Sequence, residues 1–111
     1  MTPRVRSEIW VKAQIRQCDV KLIPAVVARR GDPDGGAIYL RIDRRDAGCE
    51  LLSRTYGADG ERMWHGPIGD GPLPPEKVDA YLEKQATFDP DFWVLEIDDP
   101  AGRYEPFEIG V

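Results

Sequence analysis

The sequence predicts an α+β domain: a mostly antiparallel sheet of about five strands with two helices packed on it. Three observations predict this class. Two segments have apolar residues at helical spacing, several short β-branched segments lie between and after them, and turns rich in Asp, Pro and Gly separate those segments. The chain of 111 residues is long enough for one modest core, so we expect residues 1–111 to form a single domain.

The first helix is predicted over residues 7–20. Val11, Ile15 and Cys18 recur at helical spacing on one stripe of this segment. The start of the segment also alternates between apolar and polar positions, so residues 5–11 could instead begin as a strand. Good helix formers with no interrupting Gly or Pro favour the helix.

Two strands are predicted next, in the segments "IPAVVAR" and "AIYLRID". The second alternates strictly, with Ile38, Leu40 and Ile42 on one face, which is typical of a half-buried strand. Between the two, Asp32-Pro33-Asp34-Gly35 has the residues of a type I turn. We therefore expect a hairpin, closed by Gly35 in the left-handed conformation.

Two further strands are expected in "ELLSRTY" and "ERMWH", with a turn at residues 58–60 between them. The Pro- and Gly-rich residues 66–75 that follow predict a long surface loop inside the domain.

A second helix is predicted from about Pro75 to Phe88, because Pro suits a first helical turn and apolar residues recur on one face. The segment from Phe92 to Asp98 is apolar on both faces, which predicts a strand inside the sheet. A turn should follow at residues 99–102, and the tail "RYEPFEIGV" is a candidate edge strand.

Composition excludes several classes of protein. Hydrophobic residues make up 41% of the chain and charged residues 32%, which argues against a disordered chain. No apolar run is long enough to span a membrane. The sequence shows no secretory signal, and two cysteines make no disulfide framework, so we expect reduced thiols and a cytoplasmic location.

The net charge of −5 is unevenly distributed along the chain. Residues 1–55 contain eleven Lys or Arg against seven Asp or Glu, whereas residues 56–111 contain four against thirteen. A basic surface for an anionic partner is one interpretation. Pairing of the two halves within one small fold is the other.

A group of basic residues is the most coherent candidate binding site. The expected hairpin places Arg30, Tyr39 and Arg41 on one face, where arginines beside a tyrosine could bind phosphate or stack on a base. Three further arginines, Arg44, Arg45 and Arg54, should lie nearby. The same side chains could instead form pairs with the acidic half of the chain.

Two more residues complete the candidate ligand-binding set. His65 is the only histidine, and Glu96 is a carboxyl inside an otherwise apolar strand. No nucleophile–base signature surrounds His65, so no catalytic residue is assigned. Asp32 and Asp34 fail the EF-hand spacing, and we expect neither a metal nor a cofactor.

These observations leave two functional hypotheses. The leading one is a non-catalytic binding or interaction module, whose partner is a protein or an anionic ligand. The alternative is a small enzyme or accessory factor that acts on a phosphate-bearing or nucleic-acid substrate through Arg30, Tyr39, Arg41, His65 and Glu96.

Three stretches, "SEIWVKAQIRQC", "PAVVARRGDPDGGAIYLRI" and "KVDAYLEKQATFDPDFWVLEID", together resemble a small bacterial family labelled domain of unknown function 1491. The resemblance spans nearly the whole chain and implies one bacterial domain. It brings no assigned activity, cofactor or catalytic residue. Lys21 stands near where the family leads us to expect a glycine, which leaves the end of the first helix open.

Overall fold

Two α-helices and five strands form the part of the chain that the computed structural model describes, residues 5–56 and 62–106. A short 3-10 turn joins the second and third strands. The elements, in chain order, are α1 (Ser7–Val20), β1 (Ala25–Arg29), β2 (Ile38–Asp43), β3 (Cys49–Tyr56), β4 (Arg62–His65), α2 (Pro75–Ala86) and β5 (Trp93–Asp98).

The strands form one sheet in the order β1-β5-β2-β3-β4. Every neighbouring pair is antiparallel except β2 and β5, which run parallel. The predicted fold class, a mostly antiparallel sheet with two helices packed on it, is confirmed. The position of β5 inside the sheet is also confirmed, since it lies between β1 and β2.

The predicted hairpin of β1 and β2 is wrong, because β5 lies between these two strands. Residues 30–37 pass over the start of β5, and eight residues easily span the roughly 10 Å that one intervening strand occupies. The backbone N–H of Asp32 donates to the carbonyl of Asp91 at 2.9 Å, and the Trp93 indole donates to the carbonyl of Asp32 at 2.8 Å. Strand β5, which is apolar on both faces, therefore has β1 along one edge and β2 along the other.

The turn at residues 32–35 exists, but it does not close a hairpin. The Asp32 side chain accepts a hydrogen bond from the Gly35 backbone N–H, at 2.9 Å. Gly35 is not among the residues with a left-handed backbone, so that part of the prediction is wrong. The glycine that packs closely against the backbone is instead Gly36. An added Cβ at that position would lie 2.3 Å from the Asp91 carbonyl oxygen.

The sheet has a helix on each face, and each helix covers its own buried cluster. We call the two sides the α1 face and the α2 face. On the α1 face, Trp10 and Cys18 pack with Leu40 and Leu95 in the larger cluster. On the α2 face, Val78 packs against Cys49 and Leu51 of β3. Both cysteines are buried and free, and they belong to these two different clusters.

Helix α1 begins at Ser7, which resolves the ambiguity over residues 5–11 in favour of the helix. It ends at Val20, where the Ile23 backbone N–H donates to the carbonyl of Cys18 at 2.8 Å. Leu22 adopts a left-handed backbone with φ of 59°. This is the position where a glycine would fit best, one residue beyond the one expected from the family.

The remaining elements follow the predictions in part. β3 and β4 pair as expected, although the turn at residues 58–60 lies outside the described residues. Helix α2 ends two residues before Phe88. The turn at residues 99–102 is confirmed by a hydrogen bond from the Gly102 N–H to the Asp99 carbonyl. In the tail, residues 103–106 form no strand and the rest is outside the described part.

No helix in the described part of the chain is long and apolar enough to cross a membrane.

Candidate functional site

A cleft with a volume of about 380 Å³ opens on the α2 face. It exists because α2 covers only the half of this face that β2 and β3 form. The backbone of Leu73 exchanges two hydrogen bonds with Cys49, both 2.8 Å long, and this contact sets the start of α2 above β3. The parts of β1 and β5 on this face therefore lie beside the helix rather than beneath it.

The cleft has an apolar floor. Two buried residues belong to this floor: Val94 of β5, and Phe92, which directly precedes β5. Ala28 adds to the floor from β1, and Leu82 and Ala86 form the wall from α2. This lining is typical of a site that accepts an apolar side chain.

The rim of the cleft is charged, with three carboxylates and two guanidinium groups. These five residues are Arg29, Arg41, Asp79, Glu83 and Glu96.

Arg41 holds two of the carboxylates together. Its Nε lies 2.9 Å from Oδ1 of Asp79, and its Nη1 lies 3.4 Å from Oε1 of Glu96. Its side chain is only 13% exposed. Burial acts to lower the pKa of Arg41, but the hydrogen bond to Asp79 and the two negative charges outweigh burial and raise it. Arg41 is therefore a permanent cation that is already neutralised by its neighbours.

Arg29 is held against the floor of the cleft. Its guanidinium carbon lies 4.5 Å from the centroid of the Phe92 ring, a cation–π distance. One nitrogen of the same group donates to the carbonyl of Pro90 at 3.1 Å. Glu83, by contrast, makes no ion pair within the described residues.

Tyr39 and Cys49 lie on the α2 face but do not line the cleft. Tyr39 packs edge-on against Tyr81 and Phe92, with ring centroids 6.1 and 5.3 Å away. Burial, aided by a hydrogen bond with Tyr81, raises the pKa of Tyr39 to about 12. Burial likewise raises the pKa of the Cys49 thiol to about 11. Both groups are therefore protonated at neutral pH.

The structure brings only part of the predicted site together. Arg41 and Glu96 meet at the rim of the cleft, with Tyr39 packed nearby. Arg30 lies elsewhere: its guanidinium pairs with Glu8 of α1 at 3.2 Å and covers the ring of Trp93, on the α1 face. The expected grouping of Arg30 with Tyr39 and Arg41 is therefore wrong, because it rested on the absent hairpin.

His65 is also apart from the cleft. It is exposed at the end of β4, opposite Ser53 of β3, and it is not among the lining residues. Whether any of the predicted residues binds a ligand stays a prediction.

The other arginines of the expected basic surface are engaged within the fold. Arg44 lies 2.8 Å from both Glu50 and Asp99, and Arg45 lies 2.8 Å from Asp98. The guanidinium of Arg54 lies 5.4 Å from the centroid of the Trp10 ring. The basic and acidic halves of the chain thus pair within one fold, as the second interpretation of the charge distribution held.

Sequence reasoning missed the helical wall of the cleft, formed by Leu82, Glu83 and Ala86, and the role of Arg29. A signal for the wall existed, since Leu82 belongs to the apolar stripe of α2. Nothing in the sequence indicated that α2 would cover β2 and β3 and leave the α2 face of β5 open. Within residues 5–56 and 62–106, no group of three or more His, Cys, Asp or Glu is placed to hold a metal ion.

Fold and cleft together define a small α+β domain with one helix on each face of the sheet and an open site beside the second helix. The chain belongs to the family described as "Protein of unknown function (DUF1491)", whose model matches residues 5–106. The resemblance stated from the sequence is thereby confirmed.

Solved structures of related proteins have the same fold. The crystal structure of a DUF1491 family protein from Caulobacter crescentus CB15 is 40% identical, covering 89% of this chain and 92% of that one, with a TM-score of 0.80. The solution structure of protein Atu0922 from A. tumefaciens is 29% identical, covering 86% of each chain, with a TM-score of 0.73. Among curated proteins, a search found no match.

Proposed function

We propose that this protein is a non-catalytic binding module that holds a short segment of a partner protein in the cleft beside α2. The observation that carries the proposal is the combination of an apolar floor with a charged rim in one cleft. An apolar side chain of the segment would rest on Phe92 and Val94. Polar groups at the rim would fix its direction, as in other peptide-binding grooves.

The charges at the rim favour one kind of segment. Arg41 is already neutralised by Asp79 and Glu96, and Arg29 rests on Phe92. Glu83 remains without an ion pair in the described part of the chain. A segment with a Lys or Arg next to its apolar residue would complete the pairing, and it would also be attracted by the net charge of −5.

The chemistry of the cleft supports binding rather than catalysis. Its described lining contains no Ser, Thr, Cys, Lys or His side chain. The nearby phenol of Tyr39 and thiol of Cys49 have raised pKa values and are protonated at neutral pH. Of the three carboxylates at the rim, Asp79 and Glu96 are paired with Arg41. We further propose a cytoplasmic location, which the two buried free thiols support.

The alternative, action on a phosphate-bearing or nucleic-acid substrate, has less support. It requires Arg30, Arg41 and His65 to converge, and they lie on different parts of the sheet. Arg30 and Arg41 also have carboxylate partners already. A phosphate would have to compete with those partners.

Selection from a library of random peptides tests the proposal. We expect enriched peptides to combine a large apolar residue with a neighbouring Lys or Arg. Ala86→Arg should abolish their binding, because Ala86 lines the cleft and a long side chain there would fill it. Ala80→Arg is the matched control, since Ala80 is exposed on the same helix and is not part of the cleft.

Three outcomes would overturn the proposal. One is that no peptide is enriched. Another is that the enriched peptides bind the Ala86→Arg variant as well as the unmodified protein. The third is that Ala80→Arg, in a folded protein, reduces binding as much as Ala86→Arg does.

A further inference from the structure

We propose that β1 is the contact through which two copies of this chain pair, edge to edge, in a symmetric dimer. The sheet ends at β1, because β5 is its only neighbour in the sheet order of the described residues. This inference does not depend on the cleft binding anything.

Apart from Lys21, the residues that lead into and form β1 are apolar from Val20 to Ala28. From residue 20 to residue 28, only Ile23 is buried and only Ala25 is half-buried. Leu22 is 85% exposed, Val26 59% and Val27 40%. Four of the seven large apolar residues that are exposed in the described part of the chain lie in this stretch, Val20 being the fourth.

The usual protection of a sheet edge is weak here. Natural edge strands commonly carry charged side chains that prevent pairing with another chain. Here the edge carries no charge from Pro24 to Ala28. A bulge does occur between Val27 and Arg29, and it limits regular pairing to Ala25, Val26 and Val27.

Within the described residues, some backbone groups of β1 point outward along this edge and pair with no other strand. Asp98 donates its N–H to the carbonyl of Pro24, so residue 24 bonds toward β5. Hydrogen-bonding direction alternates along an antiparallel strand. Val26, opposite Glu96, therefore bonds toward β5 as well, whereas the N–H and C=O groups of Ala25 and Val27 point away from it.

These groups are arranged so that β1 complements itself. In an antiparallel pair related by a two-fold axis at Val26, Ala25 of one copy lies opposite Val27 of the other, and the reverse. Both of these pairs would exchange two backbone hydrogen bonds. Val26 would lie directly opposite Val26 of the second copy, in the close spacing of a pair without hydrogen bonds, where apolar contacts are strongest. A second copy is thus an occupant that fits both the backbone pattern and the apolar surface.

Such a dimer would also bring the clefts of the two copies onto one continuous sheet. A two-fold axis perpendicular to the sheet places the α2 faces of both copies on the same side of one continuous sheet. The two clefts would then share a floor, with an α2 helix on each side. Five strand spacings separate β2 from its copy, roughly 24 Å in all.

Sedimentation velocity across a wide range of protein concentration tests the inference. We expect a reversible monomer–dimer equilibrium for the unmodified protein. Val26→Lys should weaken association at least tenfold, because the two lysines would lie directly opposite each other. Within a monomer the same lysine lies opposite Glu96 of β5, so the fold should tolerate it. Met63→Lys, at an exposed apolar position on the other edge strand, is the matched control and should leave association unchanged.

A charge swap makes the test specific for this register. Val26→Glu alone should also prevent association, and mixing it with Val26→Lys should restore dimers that contain one copy of each. A protein that stays monomeric at every concentration would overturn the inference. So would a dimer that Val26→Lys leaves intact, or folded Lys and Glu variants that fail to associate when mixed.

Discussion

Arg41 and Asp79 connect the sheet to the second helix: the Arg41 Nε on β2 lies 2.9 Å from the Asp79 Oδ1 on α2. The same guanidinium reaches Glu96 on β5, so one side chain joins three elements. This contact holds α2 over β2, at the boundary between the covered and the open part of the α2 face. The cleft begins at that boundary.

Replacing Arg41 should therefore lower the free energy of unfolding, whereas replacing an exposed strand arginine would change it little. Arg41→Ala removes charged hydrogen bonds from a largely buried side chain, and we expect a loss of about 1–2 kcal/mol in the free energy of unfolding. Arg45→Ala is the control: Arg45 also pairs with an aspartate, but its side chain is 64% exposed and the loss should be small. Urea unfolding of both variants measures the difference, and equal losses would contradict the role given to Arg41.

The end of α1 gives a prediction of opposite sign. Leu22 has a left-handed backbone and an almost fully exposed side chain, so it bears strain without a compensating contact. Leu22→Gly should raise stability by about 0.5–1 kcal/mol, after the entropy that glycine adds to the unfolded chain is subtracted. Val20→Gly, at the exposed last residue of the same helix, should instead lower stability, by at most about 0.5 kcal/mol. Thermal or urea unfolding measures both, and destabilisation by Leu22→Gly would show that its side chain contributes a contact.

Two adjacent glycines in the loop over the start of β5, Gly35 and Gly36, differ in the space around them. A Cβ at Gly36 would meet the Asp91 carbonyl oxygen at 2.3 Å, whereas nothing lies within 4 Å of a Cβ at Gly35. Gly36→Ala should lower stability by more than about 2 kcal/mol, because backbone must move to make room. Gly35→Ala should be nearly neutral. Comparable effects of the two substitutions, measured by urea unfolding, would contradict this packing of the loop on β5.

Tyr39 predicts a specific dependence on alkaline pH. Its pKa in the folded protein is about 12, because burial disfavours the phenolate. In the unfolded chain a tyrosine ionises near pH 10, so between these values the unfolded state releases a proton that the folded state keeps. The contribution of Tyr39 to the free energy of unfolding is therefore fully present below about pH 10, and it is lost as pH rises toward 12.

Ultraviolet difference titration of the unmodified protein against Tyr39→Phe measures this ionisation directly. The difference should appear near pH 12. A difference that titrates near pH 10 in the folded protein would contradict the burial of this phenol.

Much of the fold was predictable because local patterns encode it. The alternation of β2 correctly assigned Ile38 to one face and Arg41 to the other, and the two apolar faces of β5 correctly placed it inside the sheet. The order of strands was not predictable in the same way. Adjacent strands with a turn between them favour a hairpin, and only contacts distant in sequence, such as Trp93 to Asp32, place β5 between them.

The candidate site was predictable only in part for the same reason. Arg41 and Glu96, two residues of the predicted ligand-binding set, both line the cleft. That either of them binds a ligand stays a prediction. Arg30 was assigned to the wrong face because its position depended on the hairpin. The wall at Ala86 depends on how α2 sits on the sheet, which helical periodicity alone does not specify.

Amide chemical-shift mapping shows directly whether a peptide binds in the cleft beside α2. The protein, labelled with ¹⁵N, is titrated with a peptide selected from the library. We expect the largest shifts on Ala28, on Val94 and from Leu82 to Ala86, on the three elements that border the cleft. Shifts centred on the α1 face, or on His65 at the far edge of the sheet, would contradict binding in the cleft.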